Sequence, residues 1–107
     1  MKLWVDDVRP APNVGYDHCK SVNDAKRTIQ HYEELATEIG LAIYEITLID
    51  IDHDAGDYAS EGGDYIKLLD WLEETGRNYP IRIHSMNPVG VANMRAIIKR
   101  NGWTEVM

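Results

Sequence analysis

Apolar positions along this chain change period several times. Lys2 to Asp6 (KLWVD) reads as a short strand ending on an acidic pair, and Tyr16 to Lys20 as a short edge strand. From Ser21 the step becomes three and four. Val22, Ala25, Ile29, Tyr32, Ala36 and Ile39 mark one face of a helix, with Ser21-x-x-Asp24 a near capping box at its start and Gly40 its stop. Glu45 to Ile51 is β-rich and mostly apolar, as expected of a strand covered on both faces in a parallel sheet. Asp64 to Thr75 predicts a second helix burying Ile66, Leu69 and Leu72, with Trp71 flanking and Gly76 as its stop. Ile81 to His84 is the next buried strand, after Pro80. Asn87 as cap and Pro88 as first helical residue open a third helix, with Ala92, Met94, Ile97 and Ile98 at its apolar positions. Gly102 ends it, and residues 103–106 remain as a tail or a short final strand.

Strands separated by helices predict an α/β sandwich with a mainly parallel sheet. The connections are loops of different character: residues 7–15 (DVRPAPNVG) carry two prolines, and residues 52–63 (DHDAGDYASEGG) are polar and glycine-rich. In such sheets ligands bind outside the carboxyl ends of the strands. Three strand ends deliver Asp6-Asp7, Asp50 to Asp54, and His84-Ser85 to one edge. Acids that converge there need a cation, a proton or a metal-bearing phosphate ligand to offset their repulsion.

The length of 107 residues suits a single domain, residues 1–107. Net charge of −7 argues against a protein that coats nucleic acid, although it permits an enzyme that engages one phosphate at a nucleic-acid end. The single cysteine, Cys19, forms no internal disulfide and reads as a buried apolar group. No membrane span and no signal peptide are expected, which makes a cytoplasmic location the default.

Carboxylates from separate strands suit a hard cation, Mg²⁺ or Mn²⁺. Asp6, Asp7 and Asp52 are the candidate ligands, with Asp54 also in reach and Asp50 sharing the face but deeper in its strand. His53 and His84 are the candidate acid–base pair, with Asp54 beside His53 to hold its tautomer. His18 and His31 read as structural or exposed. Ser85, Asn87 and the amides opening the Pro88 helix form a candidate anion seat, over which Arg9 would clamp a phosphate. No G-x-x-x-x-G-K or G-x-G-x-x-G loop and no zinc-type cysteine pair is present.

Three stretches together, LWVDDVRPAP at 3–12, IDHDAG at 51–56 and IHSMNPVGVANM at 83–94, resemble the cyclic-phosphate-processing receiver-like family. The resemblance implies a receiver-like, flavodoxin-type three-layer sandwich of sheet order 2-1-3-4. A short fifth strand from 103–106 is allowed, and the loop at 7–15 replaces the first crossover helix. Carried over by position, the site comprises Asp6, Asp7, Arg9, Asp52, His53, Asp54, His84, Ser85 and Asn87, with Asn93 a weaker addition. The implied activity is processing of cyclic phosphates on nucleotides or RNA ends. With the acids and histidines above, the leading reading is metal-assisted opening of the cyclic phosphate, so the partner is a phosphorylated small molecule or a nucleic-acid end. The chain departs from the pattern at Ala55 (usually Leu), at Gly62-Gly63 (usually Thr-Gly) and at Val91 (usually Arg). Two other readings stand beside this one. A phosphoacceptor receiver would modify Asp50 or Asp52, but nothing basic follows Arg100 where a receiver carries its lysine. A non-catalytic sensor of a phosphorylated ligand would use the same seat.

Overall fold

In the computed structural model, which describes residues 1–107, four short strands pair in parallel. They are β1 (Lys2–Val5), β2 (Tyr16–Cys19), β3 (Leu48–Ile51) and β4 (Ile81–Ile83), in the order β2-β1-β3-β4. Three helices follow the last three strands in turn: α1 (Val22–Ile39), α2 (Ile66–Glu74) and α3 (Pro88–Asn101). This is the expected α/β receiver-like fold, with the expected strand order. No helix is long and apolar enough to cross a membrane.

Local signals fix most boundaries. The Ser21 hydroxyl accepts the Asp24 amide at 3.0 Å, and Gly40 ends α1 in the left-handed region at φ 73°. Asn87 caps α3 by accepting the Gly90 amide at 3.0 Å, with Pro88 in the first turn. At about 1.5 Å per residue α1 runs roughly 27 Å, twice the roughly 13 Å of a four-residue strand. Its last turns therefore overrun the sheet, which is why Ile39 is exposed although it continues the apolar stripe.

Three elements differ from the sequence expectation, the first being β3, which starts at Leu48 rather than Glu45 because a 3-10 turn at Ala42–Tyr44 ends on Glu45. The second helix begins at Ile66 rather than Asp64, because the Asp64 carboxylate turns back to accept the Ala55 amide at 3.0 Å. Tyr65, next to it, is fully buried with its hydroxyl donated to the Lys20 carbonyl. The buried face of α2 is Leu68, Leu69 and Leu72, and Ile66 is only half-buried. The allowed fifth strand shrinks to one parallel bridge, Ile81 to Glu105.

The layering follows from handedness. The crossovers β2 to β3, β3 to β4 and β4 to the final bridge all advance the same way across the sheet. Right-handed crossovers in one direction put their helices on one face. Accordingly one core of 19 buried residues joins Val22, Ala25 and Ile29 of α1, the α2 leucines, and Met94, Ile97 and Ile98 of α3 to Leu3, Val5, Ile49, Ile51 and Ile81 of the sheet. Only the step from β1 to β2 runs the other way, and it is the loop at 7–15. The third layer of the expected sandwich is thus reduced to that loop, held by the Trp4 indole N–H donating to the Arg9 carbonyl at 2.8 Å. Side chains alternate along a strand, so this second face carries Trp4, Asp50 and Arg82, followed at the strand ends by Asp6, Asp52 and His84.

Candidate functional site

His84 is the hub of the second face. Its ring lies flat on Trp4, with centroids 3.9 Å apart and planes 2° from parallel. Nδ1 sits 2.6 Å from Asp50 Oδ1, and Nε2 sits 2.9 Å from Asp6 Oδ2. A neutral imidazole donates from one nitrogen only, so both contacts are donations together only in the doubly protonated ring. Both carboxylates are buried, and His84 is the group that spans them.

Asp6 serves the backbone as well. Its Oδ1 accepts the amides of Val8 and Arg9 at 3.0 and 2.9 Å, which turns the chain sharply out of β1. Burial by itself would raise the Asp6 carboxyl. The Arg9 and Val8 amides and the His84 ring outweigh it and hold the group below its ordinary value. His18, expected to be structural, is so: its Nε2 bonds the Asp6 carbonyl at 2.7 Å.

Arg9 closes the acid cluster from above. Its Nε lies 3.3 Å from Asp6 Oδ2, and its Nη2 lies 3.3 Å from Asp52 Oδ2 and 3.2 Å from the His84 carbonyl. The other Asp52 oxygen accepts the His53 amide at 2.7 Å.

His53 belongs to a different neighbourhood. Nδ1 is 2.8 Å from Asp54 Oδ1, and the ring lies across Gly90 in the first turn of α3. A Cβ added at Gly90 would overlap that ring, so glycine is needed there for close approach rather than for backbone conformation. Nε2 has no protein partner, and no unsatisfied polar atom of a side chain is buried, so this nitrogen reaches solvent. The Asn87 side-chain Nδ2 reaches Asp54 Oδ1 at 3.4 Å, and the Ser85 hydroxyl oxygen accepts the Asn87 backbone N–H at 3.1 Å. The strand ends thus meet in two adjoining centres, Asp6–Asp50–His84 and His53–Asp54–Asn87, with Asp52 between them.

A family model described as the cyclic-phosphate processing Receiver domain matches residues 1–100. The chain belongs to that family. Comparison with curated proteins and with solved structures gave no match.

Among the acids of this cyclic-phosphate processing receiver chain, one group has the donors for a metal ion. Asp6, Asp52 and His84 each offer one atom, all within 4.8 Å of one another. Two carboxylate oxygens and one imidazole nitrogen suit Mn²⁺ or Mg²⁺, Mn²⁺ tolerating the nitrogen better. Asp50 on the far ring nitrogen stands where the orienting carboxylate of a metal-binding histidine would stand. The donor set therefore fits. Asp7, a candidate ligand from the sequence, stands outside this group with its carboxylate turned against Gly56, and His84 stands within it. Asn93 lies exposed on α3 without a site contact, and Asp54 is the exposed member of its centre. Cys19 is buried, which pushes its thiol up to about 12 and removes it as a nucleophile.

Three residues escaped the sequence reading or were underweighted by it. Trp4 and Asp50 share a face with the site by simple alternation, two positions before Asp6 and Asp52. Tyr65 lies beneath the acids, its phenol raised above its ordinary value chiefly by burial and then by Asp7, Asp6 and Asp52. Nothing in its sequence neighbourhood distinguishes it from another helix-start aromatic.

Proposed function

We propose that this chain is a phosphoesterase that opens a cyclic phosphate on a nucleotide or RNA terminus, with His53 as the proton-transferring group and a divalent cation at Asp6, Asp52 and His84. The observation that carries this reading is the His53 ring. One nitrogen is fixed on Asp54, and the other faces solvent beside the opening turn of α3. His84 has both nitrogens committed to carboxylates, which suits a ligand or an electrostatic anchor better than a proton shuttle.

The phosphate would sit against the Ser85 hydroxyl, the Asn87 side-chain amide and the dipole of α3, with Arg9 closing over it. His53 Nε2 takes a proton from the attacking water and returns it to the departing sugar oxygen. One P–O bond forms and one breaks, leaving a monophosphate ester and a free hydroxyl. A bound cation would stabilise charge developing on the phosphoryl oxygens.

The test is hydrolysis of 2′,3′-cyclic mononucleotides in Mn²⁺ or Mg²⁺ by wild type and His53→Ala. The expected loss in kcat is about 10²–10⁴-fold. Equal rates would remove His53 from the chemistry. Tight binding of the cyclic nucleotide by wild type with no turnover would make the chain a sensor instead.

A further inference from the structure

Arg9 occupies the oxygens that the proposed cation would need. Its Nε and Nη2 lie 3.3 Å from Asp6 Oδ2 and Asp52 Oδ2, and these two residues supply two of the three donors that converge within 4.8 Å. A guanidinium and a divalent cation repel, and they cannot share those atoms at ligand distance. The same Nη2 also bonds the carbonyl of His84, the residue just before Ser85, so the guanidinium already lies beside the anion seat.

A second arginine shows what a permanent ion pair looks like in this fold. Arg77 holds Glu33 with three contacts of 2.9–3.1 Å, stacks 4.3 Å over Trp71 and is 23% exposed. Arg9 makes longer contacts, divides them between two acids, and its side chain is 47% exposed. Its backbone, by contrast, is pinned: the amide on Asp6 at 2.9 Å and the carbonyl on Trp4 at 2.8 Å. The side chain is free to leave while the loop stays.

We infer that Arg9 is the resident counter-cation of the Asp6–Asp52 pair and that an arriving phosphate draws it off, so that phosphate and metal bind cooperatively. This rests on the metal-and-phosphate reading of the site. Without phosphate, Arg9 competes with the cation and keeps its affinity low. With phosphate, the guanidinium bonds the anion and the carboxylates are released to the metal. Linkage makes the effect reciprocal: metal tightens phosphate by the same factor.

The experiment is a Mn²⁺ titration followed by the electron paramagnetic resonance signal of the free ion, with and without adenosine 3′-monophosphate, corrected by a protein-free titration. The proteins are wild type, Arg9→Gln and Arg9→Lys, the pinned backbone leaving both variants folded. In wild type the nucleotide should tighten Mn²⁺ at least about fivefold. Arg9→Gln should bind Mn²⁺ tighter than wild type by a similar factor without nucleotide, and nucleotide should add little more. Arg9→Lys keeps the charge and should behave as wild type without nucleotide. Arg9→Gln binding Mn²⁺ no tighter than wild type, or retaining the full nucleotide effect, overturns the inference while leaving the metal site standing. No Mn²⁺ binding by any of the three proteins overturns the metal site and the inference with it.

Discussion

The two faces of this sheet are built from alternate residues of the same strands and solve opposite problems. Leu3, Val5, Ile49, Ile51 and Ile81 point to three helices and share one apolar core. Their neighbours Trp4, Asp50 and His84, with Asp6 and Asp52 at the strand ends, point to a face with no helix. On the first face removal of apolar surface from water supplies the stability. On the second, acids are buried as deeply as the leucines, and each is matched by a hydrogen bond or a cation. Omitting the first crossover helix is what makes this possible. A helix laid there would cover the strand ends with apolar surface, whereas the connection over residues 6–15 leaves room for a ring stack and an arginine.

Adjacent residues of β3 test that division most sharply. Ile49→Ala, on the helix face, should cost about 2–5 kcal/mol, read as a fall in the urea midpoint, while the activity of the folded fraction stays close to wild type. Asp50→Asn, one residue on, should cost less stability, about 1–3 kcal/mol from a weakened charged hydrogen bond. It should lower Mn²⁺ affinity about 10–100-fold by releasing the His84 ring. Equal losses of stability and of metal affinity in both variants would break the comparison.

Acid unfolding separates the site from a remote ion pair. Burial pushes Asp6 up, but two backbone amides and His84 win and hold it below 3.8. Burial likewise pushes Glu33 up, but Arg77 and Tyr79 win and hold it below 4.5. A depressed folded-state value means that the stability is fully present above the unfolded value and is lost as pH falls through the folded one. Both groups should therefore steepen the loss of stability below about pH 4.5. Asp6→Asn and Glu33→Gln should each flatten that limb in melting temperature measured from pH 3 to 7. Only Asp6→Asn should also alter metal binding, since Glu33 lies on α1 against Arg77 and Tyr79.

The sequence made the helix face legible because long amphipathic stripes and their caps are local signals: Ser21, Gly40, Asn87 and Gly102 all mark true boundaries. The order 2-1-3-4 and the missing crossover helix came with the motif resemblance, which no periodicity supplies. The second face was legible only as a list of strand-end acids and histidines. Strands of three or four residues give each face one or two positions, too few for alternation to announce itself, so the Leu48–Ile51 run gave no sign that Asp50 would pair with His84. Partner choice was less legible still. That Asp7 turns to Gly56 while His84 turns to Asp6, and that His84 and His53 serve separate centres, depends on packing across 31 or more residues of sequence.

The smallest effect is the cleanest discriminator. Ser21 and Asn87 perform the same task, each accepting an amide at 3.0 Å to cap a helix, Ser21 for α1 and Asn87 for α3. Replacing either with alanine should cost about 1 kcal/mol, a matched loss visible as similar shifts in urea midpoint. Function should part them. The Asn87 side chain also reaches Asp54, the carboxylate that holds His53, whereas the Ser21 hydroxyl bonds only the Asp24 amide of its own helix. Asn87→Ala should thus raise KM for a cyclic mononucleotide and shift its pH–rate profile, while Ser21→Ala should leave both unchanged. If the two variants behave alike in activity as well as in stability, Asn87 is a cap and nothing more, and the anion seat has to be sought on Ser85 and Arg9 alone.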